Sequence, residues 1–389
     1  MSFPVIPREE YPLRWQAVRE FMREKGLDLI FAYADDHFTY GNAYSRYYAD
    51  FPTAFEPVLI MFLQDRDPIL LTGPETDGYA AEVGTIRDIR ALYEFAHEDE
   101  DYPFSRMEYL RDVIANELGR APGRVGITCP GLVGSNIYAA IEKACGGVAL
   151  EDVDEALSNM RGIKSEAELK VIRYAYELAR YGMQAAIDAI APGVTEREMA
   201  AAAEFAMRSR GSDGTGIDMI IASGPNNRHI LARATNRRIE ENDVVIVTVA
   251  PRYEGYHGAI GRTVFVGQPS EEYIALMKAQ EKAQQVCASQ FKPGNVGSEA
   301  EGMARAVMAE AGYDKNFLYS GIHSVGVIEF EPPILGPSSD TRFAENMVVS
   351  IDIPTFESPI GGARTEDGYI ITADGCEHLT SDIPRIIIK

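Results

Sequence analysis

Between residues 320 and 370 the chain carries an imidazole, two carboxylates and a guanidinium in settings that suit chemistry. His323 lies in "SGIHSVG", between small residues at the start of an expected strand, and is one of six histidines. An imidazole titrates near neutrality, so His323 is a candidate general acid or base. Asp352 stands inside the apolar run "MVVSIDIP", where a carboxylate is costly to bury without a partner. It is expected either to pair with Arg364 or Arg262, or to face a site and hold a cationic or N–H-bearing substrate. Glu366, in "RTEDGY", follows the same logic, with Asp367 expected in solvent. Arg364 would neutralise these acids or bind a substrate carboxylate through two parallel N–H bonds.

Further candidates lie elsewhere. The stretch "PRYEGYHGAIGRT" (Pro251–Thr263) follows the apolar run "VVIVTVA" and has the punctuation of a β-hairpin. Its glycines make the turn, Tyr253 and Tyr256 are expected to pack, and Glu254 and His257 are the side chains that could face a site. Glu329 and Glu331 alternate with apolar neighbours in "VIEFEPPIL", which places them on one strand face, with Glu331 a substrate-binding candidate. In "YGNAYSRYYADFPTAFEP" (Tyr40–Pro57), Tyr and Phe surround Arg46. Such a set boxes a small zwitterion through cation–π contacts and carboxylate pairing, or serves as a dimer contact.

The elements that must position these residues fall into two parts. In the first, Tyr11–Gly26 has helical spacing and ends at glycine, and "LDLIFAYA", "EPVLIMFL", "DPILLTGP" and "RVGIT" read as buried strands. With the helix "RMEYLRDVIANELG" they indicate an α/β domain over residues 1–158. A second domain, 159–389, opens with a long helix in "RGIKSEAELKVIRYAYELARYGMQAAIDAI", capped by Ser165 and Glu168. It contains an internal repeat. Pro192–Gly211 resembles Pro293–Gly312, each with Pro-Gly, a capping box (Thr195/Glu198, Ser298/Glu301) and an Ala/Met-rich helix. "ENDVVIVTVAP" matches "ENMVVSIDIP", and "GAIGRT" matches "GGART". The offset stays at about 101 to 104 residues, so a helix-helix-strand-strand unit is duplicated. Two copies are too few for a solenoid and imply a pseudo-twofold α+β domain with a site between the halves. Within the duplication, Thr248 holds the place of Asp352, and Val264 that of Glu366.

Composition bounds the class. A chain of 389 residues can bury two cores, and 46% hydrophobic with 25% charged residues is an ordinary globular balance. The net charge of −22 argues against nucleic-acid binding, which needs a basic face. No run of about 18 apolar residues exists to cross a membrane. The first 20 residues are charged and lack the apolar core of a secretory leader. Cys129, Cys145, Cys287 and Cys376 lack metal or redox spacing and read as reduced thiols. A cytoplasmic location is expected.

A duplicated α+β domain behind an α/β domain resembles the pita-bread superfamily of creatinase, aminopeptidase P and prolidase. The segments "RGIKSEAELKVIR", "PGVTEREMAAAAE", "IIASGPNN", "GIHSVGVIEFEPP" and "ENMVVSIDIP" are similar to the family's in order and spacing. In its peptidases two Asp, one His and two Glu hold two metal ions. Carried over by position, these fall on Thr248, Ala259, His323, Asp352 and Glu366, so this chain resembles a divergent member lacking both aspartates. Three ligands do not make a two-metal centre, and a metal-free site without cofactor is expected. A His that the family places after "SGPN" falls on Leu231, with His229 two residues earlier as its substitute for substrate binding. Where creatinase holds a guanidino group with Glu, this chain has Gly261. The family's second His falls on Phe330. Metal-free relatives such as the ectoine hydrolases work through carboxylates, which makes Glu254 a candidate nucleophile or base. The resemblance also implies a homodimer in which the Arg46 region of one subunit reaches the other's site.

The leading reading is a metal-independent hydrolase of a C–N bond in a small amidine, guanidino or cyclic amide compound. His323 would move protons, Asp352 and Glu366 orient substrate nitrogens, and Arg364 or Arg46 hold a carboxylate. The alternatives are a metal-dependent Xaa-Pro aminopeptidase or dipeptidase and a non-catalytic binding protein on the same fold.

Overall fold

Residues 3–37, 40–97 and 99–389 are described in the computed structural model, and they form two units. One is Ile6–Met160; the other is Arg161–Lys389 with the N-terminal residues through Val5. Among the described residues no helix is long and apolar enough to cross a membrane.

The first unit begins with α1 (Glu10–Lys25), closed by Gly26 at a φ of 68°, a left-handed turn that glycine takes without a β-carbon penalty. There follow β1 (Leu29–Ala34), α2 (Ala43–Ala49), β2 (Val58–Leu63), β3 (Ile69–Thr72), α3 (Asp77–Val83), β4 (Asp88–Leu92) and β5 (Met107–Glu108). Then come α4 (Leu110–Leu118), β6 (Val125–Ile127), α5 (Ser135–Ala144), β7 (Leu150–Asp152) and α6 (Asp154–Asn159). The seven strands form one mixed sheet in the order β5-β4-β3-β2-β1-β6-β7. All side chains of β1, β2 and β3 are buried, which explains why these strands read as continuous apolar runs. The helix expected from Arg106 starts only at Leu110, because Met107–Glu108 joins the sheet edge beside β4. The Glu94 carboxylate accepts from the Leu110 amide at 3.0 Å and fixes that start.

The second unit opens with α7 (Glu166–Ala189) and α8 (Glu196–Arg208), and both carry their expected capping boxes, Ser165/Glu168 and Thr195/Glu198. Strands β8 (Gly214–Thr215), β9 (Ile220–Ser223), β10 (Val244–Val249), β11 (Pro251–Tyr253), β12 (Tyr256–His257) and β13 (Ile260–Phe265) complete the first repeat. The second has α9 (Glu271–Ala288), α10 (Gly297–Glu310), β14 (Ile322–Ser324), β15 (Glu331–Ile334), β16 (Val348–Ser358) and β17 (Gly361–Ile371). Two short strands follow, β18 (Cys376–His378) and β19 (Ile386–Ile388). The box expected at Ser298/Glu301 does not form. α10 starts at Gly297 without a side-chain cap, and buried Glu301 instead accepts from the Gly321 amide at 2.8 Å and from Arg305 at 3.0 Å.

Nine strands make the main sheet, in the order β15-β14-β16-β17-β13-β10-β9, with β18 on β17 and β19 on β13. Strand periodicity divides β16 and β17 between two faces. Val349, Ile351, Ile353, Ala363, Tyr369 and Ile371 share an apolar core with Leu276, Met277 and Ala283 of α9 and Ala300, Ala304 and Met308 of α10. Gln280 of α9 donates to Ile353 O and Ala363 O at 3.1 Å, so the helix satisfies backbone as well as burying methyls. Ser350, Asp352, Arg364, Glu366 and Gly368 fall on the opposite face. That face is buried too, so its charges must answer to one another.

Candidate active site

Strand pairing lays a row of residues across four strands. Thr248 is opposite Gly261, Gly261 opposite Glu366, and Glu366 opposite Asp352. Directly opposed residues share a face. In the adjacent row Ser350 is opposite both Gly368 and His323. Three segments far apart in sequence are thereby brought to one place, and His323, Asp352, Glu366 and Arg364 meet there.

Asp352 and Arg364 form a buried bidentate pair. Arg364 Nε donates to Oδ1 at 3.1 Å and Nη2 to Oδ2 at 2.6 Å. The Tyr319 hydroxyl donates to the same Oδ2 at 2.6 Å. Of the two pairings open to Asp352, the one with Arg364 forms. Arg262 lies on the other face of the sheet and donates to Asp367 at 2.6 Å. Asp367 is therefore not in solvent, as its sequence setting suggested, but fully buried, because strand alternation turns it away from Glu366. Burial alone would raise its carboxyl, yet Arg262, His378 and Arg385 hold it well below the ordinary range.

Glu366 accepts from Ser350 Oγ at 3.1 Å through Oε1, while Oε2 has no hydrogen-bond partner among the described residues. Arg364 Nε approaches that oxygen to 3.7 Å. Burial, then the Asp352 charge, push Glu366 well above the usual carboxylate range. Burial raises Glu329 as well, opposed by His323 and Arg364. His323 Nδ1 lies 3.1 Å from Ser324 O, a carbonyl that can only accept, so Nδ1 donates; Nε2 lies 3.9 Å from Glu366 Oε1. The Phe330 ring lies against the imidazole with centroids 4.3 Å apart. Ligand atoms of His323, Glu329 and Glu366 all lie within 4.8 Å of one another.

Glu329 is the residue that sequence reasoning passed over. It was paired with Glu331 on one strand face, but β15 begins only at Glu331, and Glu329 sits in the preceding turn. The turn breaks the alternation and sends the two acids apart. Glu331 joins no site: Lys164 donates to its Oε1 at 2.8 Å and Arg161 stands 3.5 Å from Oε2, a buried structural ion pair. Tyr319, four residues before His323, gave no signal in the sequence at all.

The other candidates are distributed as follows. His257 is buried, with Nδ1 3.0 Å from Gly326 O, and its ring lies beside Gly216 and Glu329 at the edge of the cluster. Burial lowers it to about 4, so it is neutral, and Nε2 has no partner among the described residues. Glu254 is the first residue of the two-residue turn between β11 and β12, with a φ of 49°, in the separate sheet β12-β11-β8. The tight turn sets its backbone, and its carboxylate is not one of those that meet at His323. His229 is exposed and 3.5 Å from exposed Glu357, so it is a surface residue, as is Leu231. Arg46 belongs to α2 of the other unit and pairs with Asp50 at 3.3 Å. Its neighbours Tyr44, Tyr47 and Tyr48 are buried in that unit, with Tyr48 against Phe62 at 4.9 Å, so the aromatic run fills a core.

The two-metal centre implied by the resemblance does not fit these residues. Thr248 offers a buried hydroxyl with no partner among the described residues, and Ala259 offers no donor. Both Asp352 oxygens are already engaged by the Arg364 guanidinium. A bridging carboxylate pair is what holds two hard cations together, and it is missing.

Comparison with known proteins agrees with this architecture. Residues 14–163 match the creatinase/prolidase N-terminal domain, and residues 170–373 match metallopeptidase family M24. The Xaa-Pro dipeptidase of Pyrococcus horikoshii is 33% identical over 322 residues, 82% of this chain and 88% of that one. The crystal structure of the prolidase from Pyrococcus horikoshii OT3 superposes with a TM-score of 0.83 at 27% identity, covering 96% of this chain and 99% of that one. The prolidase from Pyrococcus furiosus gives 0.79 at 25% identity, over 94% and 100%. The chain therefore belongs to metallopeptidase family M24, a family of hydrolases, and joins a creatinase/prolidase N-terminal domain to a pita-bread domain.

Proposed function

We propose that this protein hydrolyses a C–N bond in a dipeptide-sized substrate at the His323–Glu329–Glu366 cluster, without a two-metal centre. The observation that carries the reading is the meeting of those three groups, within 4.8 Å, on the buried face of a hydrolase fold. His323 Nε2, free of its proton, takes one from water as the water oxygen attacks the carbonyl carbon. Glu366, held protonated by burial and by Asp352, gives its proton to the leaving nitrogen. The imidazolium then returns a proton to Glu366, and one water has been consumed. Asp352 and Arg364 hold each other and fix the base of the site.

The relatives named Xaa-Pro dipeptidase support peptide substrates over the amidine, guanidino and cyclic amide compounds suggested by the sequence, so dipeptides come first in any screen. The test is hydrolysis of Ala-Pro and Ala-Ala by chelator-washed protein whose metal content is measured by elemental mass spectrometry. Turnover with less than one ion per several chains supports the reading; no turnover of any dipeptide sinks it. A second reading, a metal-dependent Xaa-Pro dipeptidase, is favoured by the same three donor groups, which could share a single ion. One tightly held ion per chain, with activity lost on chelation, would establish that instead. A cytoplasmic homodimer belongs to this proposal, and light scattering tests the dimer.

A further inference from the structure

Tyr176, in the middle of α7, lies on the helix's buried face. Its hydroxyl is nonetheless buried with no hydrogen-bond partner among the described residues; the Ala259 amide approaches its oxygen without completing a bond. The ring is held in place by absent side chains. A β-carbon at Gly368 would overlap the ring tip and the hydroxyl, and one at Gly258 would run into the α7 backbone at Ala175 and Tyr176. Gly368 is opposite Ser350, whose hydroxyl binds Glu366, and the charges of Glu366 and Glu329 bear on the phenol. The phenol thus stands beside Ala259, on the site face, next to the cluster. Leaving a buried donor unpaired costs stability, so the hydroxyl calls for an acceptor that the described residues do not supply.

The geometry points to Tyr176 as a catalytic residue of this site, donating its hydroxyl proton in a hydrogen bond to the oxygen of the scissile carbonyl as negative charge develops there. This rests on the hydrolase reading above. Burial, and then the Glu366 charge, push the phenol up, so it keeps its proton and acts as a donor and not as a base. No proton is transferred, and the donor's worth lies in being fixed before the reaction starts.

The experiment is Tyr176→Phe in the full chain, measured three ways. Kinetics on Ala-Ala and Ala-Pro should show kcat lowered about 10²–10³-fold with KM within about threefold, the size expected for one oxyanion donor. Thermal melting should be unchanged or higher, because only an unpaired hydroxyl is lost. The phosphinic analogue of Ala-Ala, a mimic of the charged tetrahedral intermediate, should bind the variant at least tenfold more weakly than wild type. An unchanged kcat, or equal binding of the analogue by both proteins, overturns the assignment. Should wild type cleave neither dipeptide yet bind the analogue through Tyr176, the hydrolase reading falls and the oxyanion contact stands. Failure of wild type to bind the analogue counts against Tyr176 whatever the kinetics show.

Discussion

Substituting Asp352 by Asn separates two descriptions of this site. Asp352 accepts two hydrogen bonds from Arg364 and one from Tyr319, all within 3.1 Å. Neutralising one member of a buried, hydrogen-bonded ion pair costs about 3–5 kcal/mol, since the other charge is left uncompensated. Part of that loss is recovered here. Glu366 Oε2 already stands 3.7 Å from Arg364 Nε, and the Asp352 charge, after burial, is a cause of Glu366's upward shift. With Asp352 neutral, burial still raises Glu366 but the second cause of its shift is gone, and its Oε2 is the acceptor nearest to the guanidinium. The net cost of Asp352→Asn is therefore about 2–3 kcal/mol, a fall in melting temperature of about 4–12 °C for a unit of this size. Glu366→Gln alone removes a group that is already uncharged and costs about 1 kcal/mol or less. The double variant loses the rescue and should cost about 5 kcal/mol or more, beyond the sum of the singles. Denaturant unfolding of the four proteins measures the coupling. Additivity within about 0.5 kcal/mol, or a single Asp352→Asn that melts with wild type, would refute the account.

Two further outcomes follow from the same structure. His257 is lowered from 6.5 to about 4 by burial, so between those pH values the unfolded chain binds a proton that the folded chain refuses. Its contribution is full above pH 6.5 and falls by about 3 kcal/mol as pH drops to 4; His257→Gln should flatten that part of the stability profile, and an unchanged slope would count against it. Glu331→Gln breaks the buried pairing with Lys164 and Arg161 and should cost about 3–5 kcal/mol while leaving KM for a cleaved dipeptide unaltered; a raised KM at unchanged stability would return Glu331 to the substrate site.

Much of this protein was legible before folding. The apolar run "MVVSIDIP" already singled out Asp352, and the repeat paired "ENDVVIVTVAP" with "ENMVVSIDIP" and "GAIGRT" with "GGART"; which face each residue takes followed once the strands paired. The duplication aligned Thr248 with Asp352, and strand pairing then put His323, Asp352, Arg364 and Glu366 together. Where the expectations failed, a local break or a tertiary choice intervened. The turn at Glu329 shifted the phase, so Glu329 entered the cluster and Glu331 went to Lys164. Asp367, one residue from Glu366, went to the opposite face and to Arg262. Glu254 was claimed by a tight turn, and Arg46 by its own helix.

Sequence by itself determined the two-part architecture and the pseudo-twofold strand pairs, since periodicity and repetition are local properties of the chain, and it singled out His323, Asp352, Arg364 and Glu366. Only the tertiary structure decided which carboxylates neutralise guanidinium groups and which remain unpaired, because that depends on contacts between separate strands and helices. It alone also placed the Tyr176 phenol beside Glu366, for the space it occupies is made by glycines on strands that α7 meets only once folded.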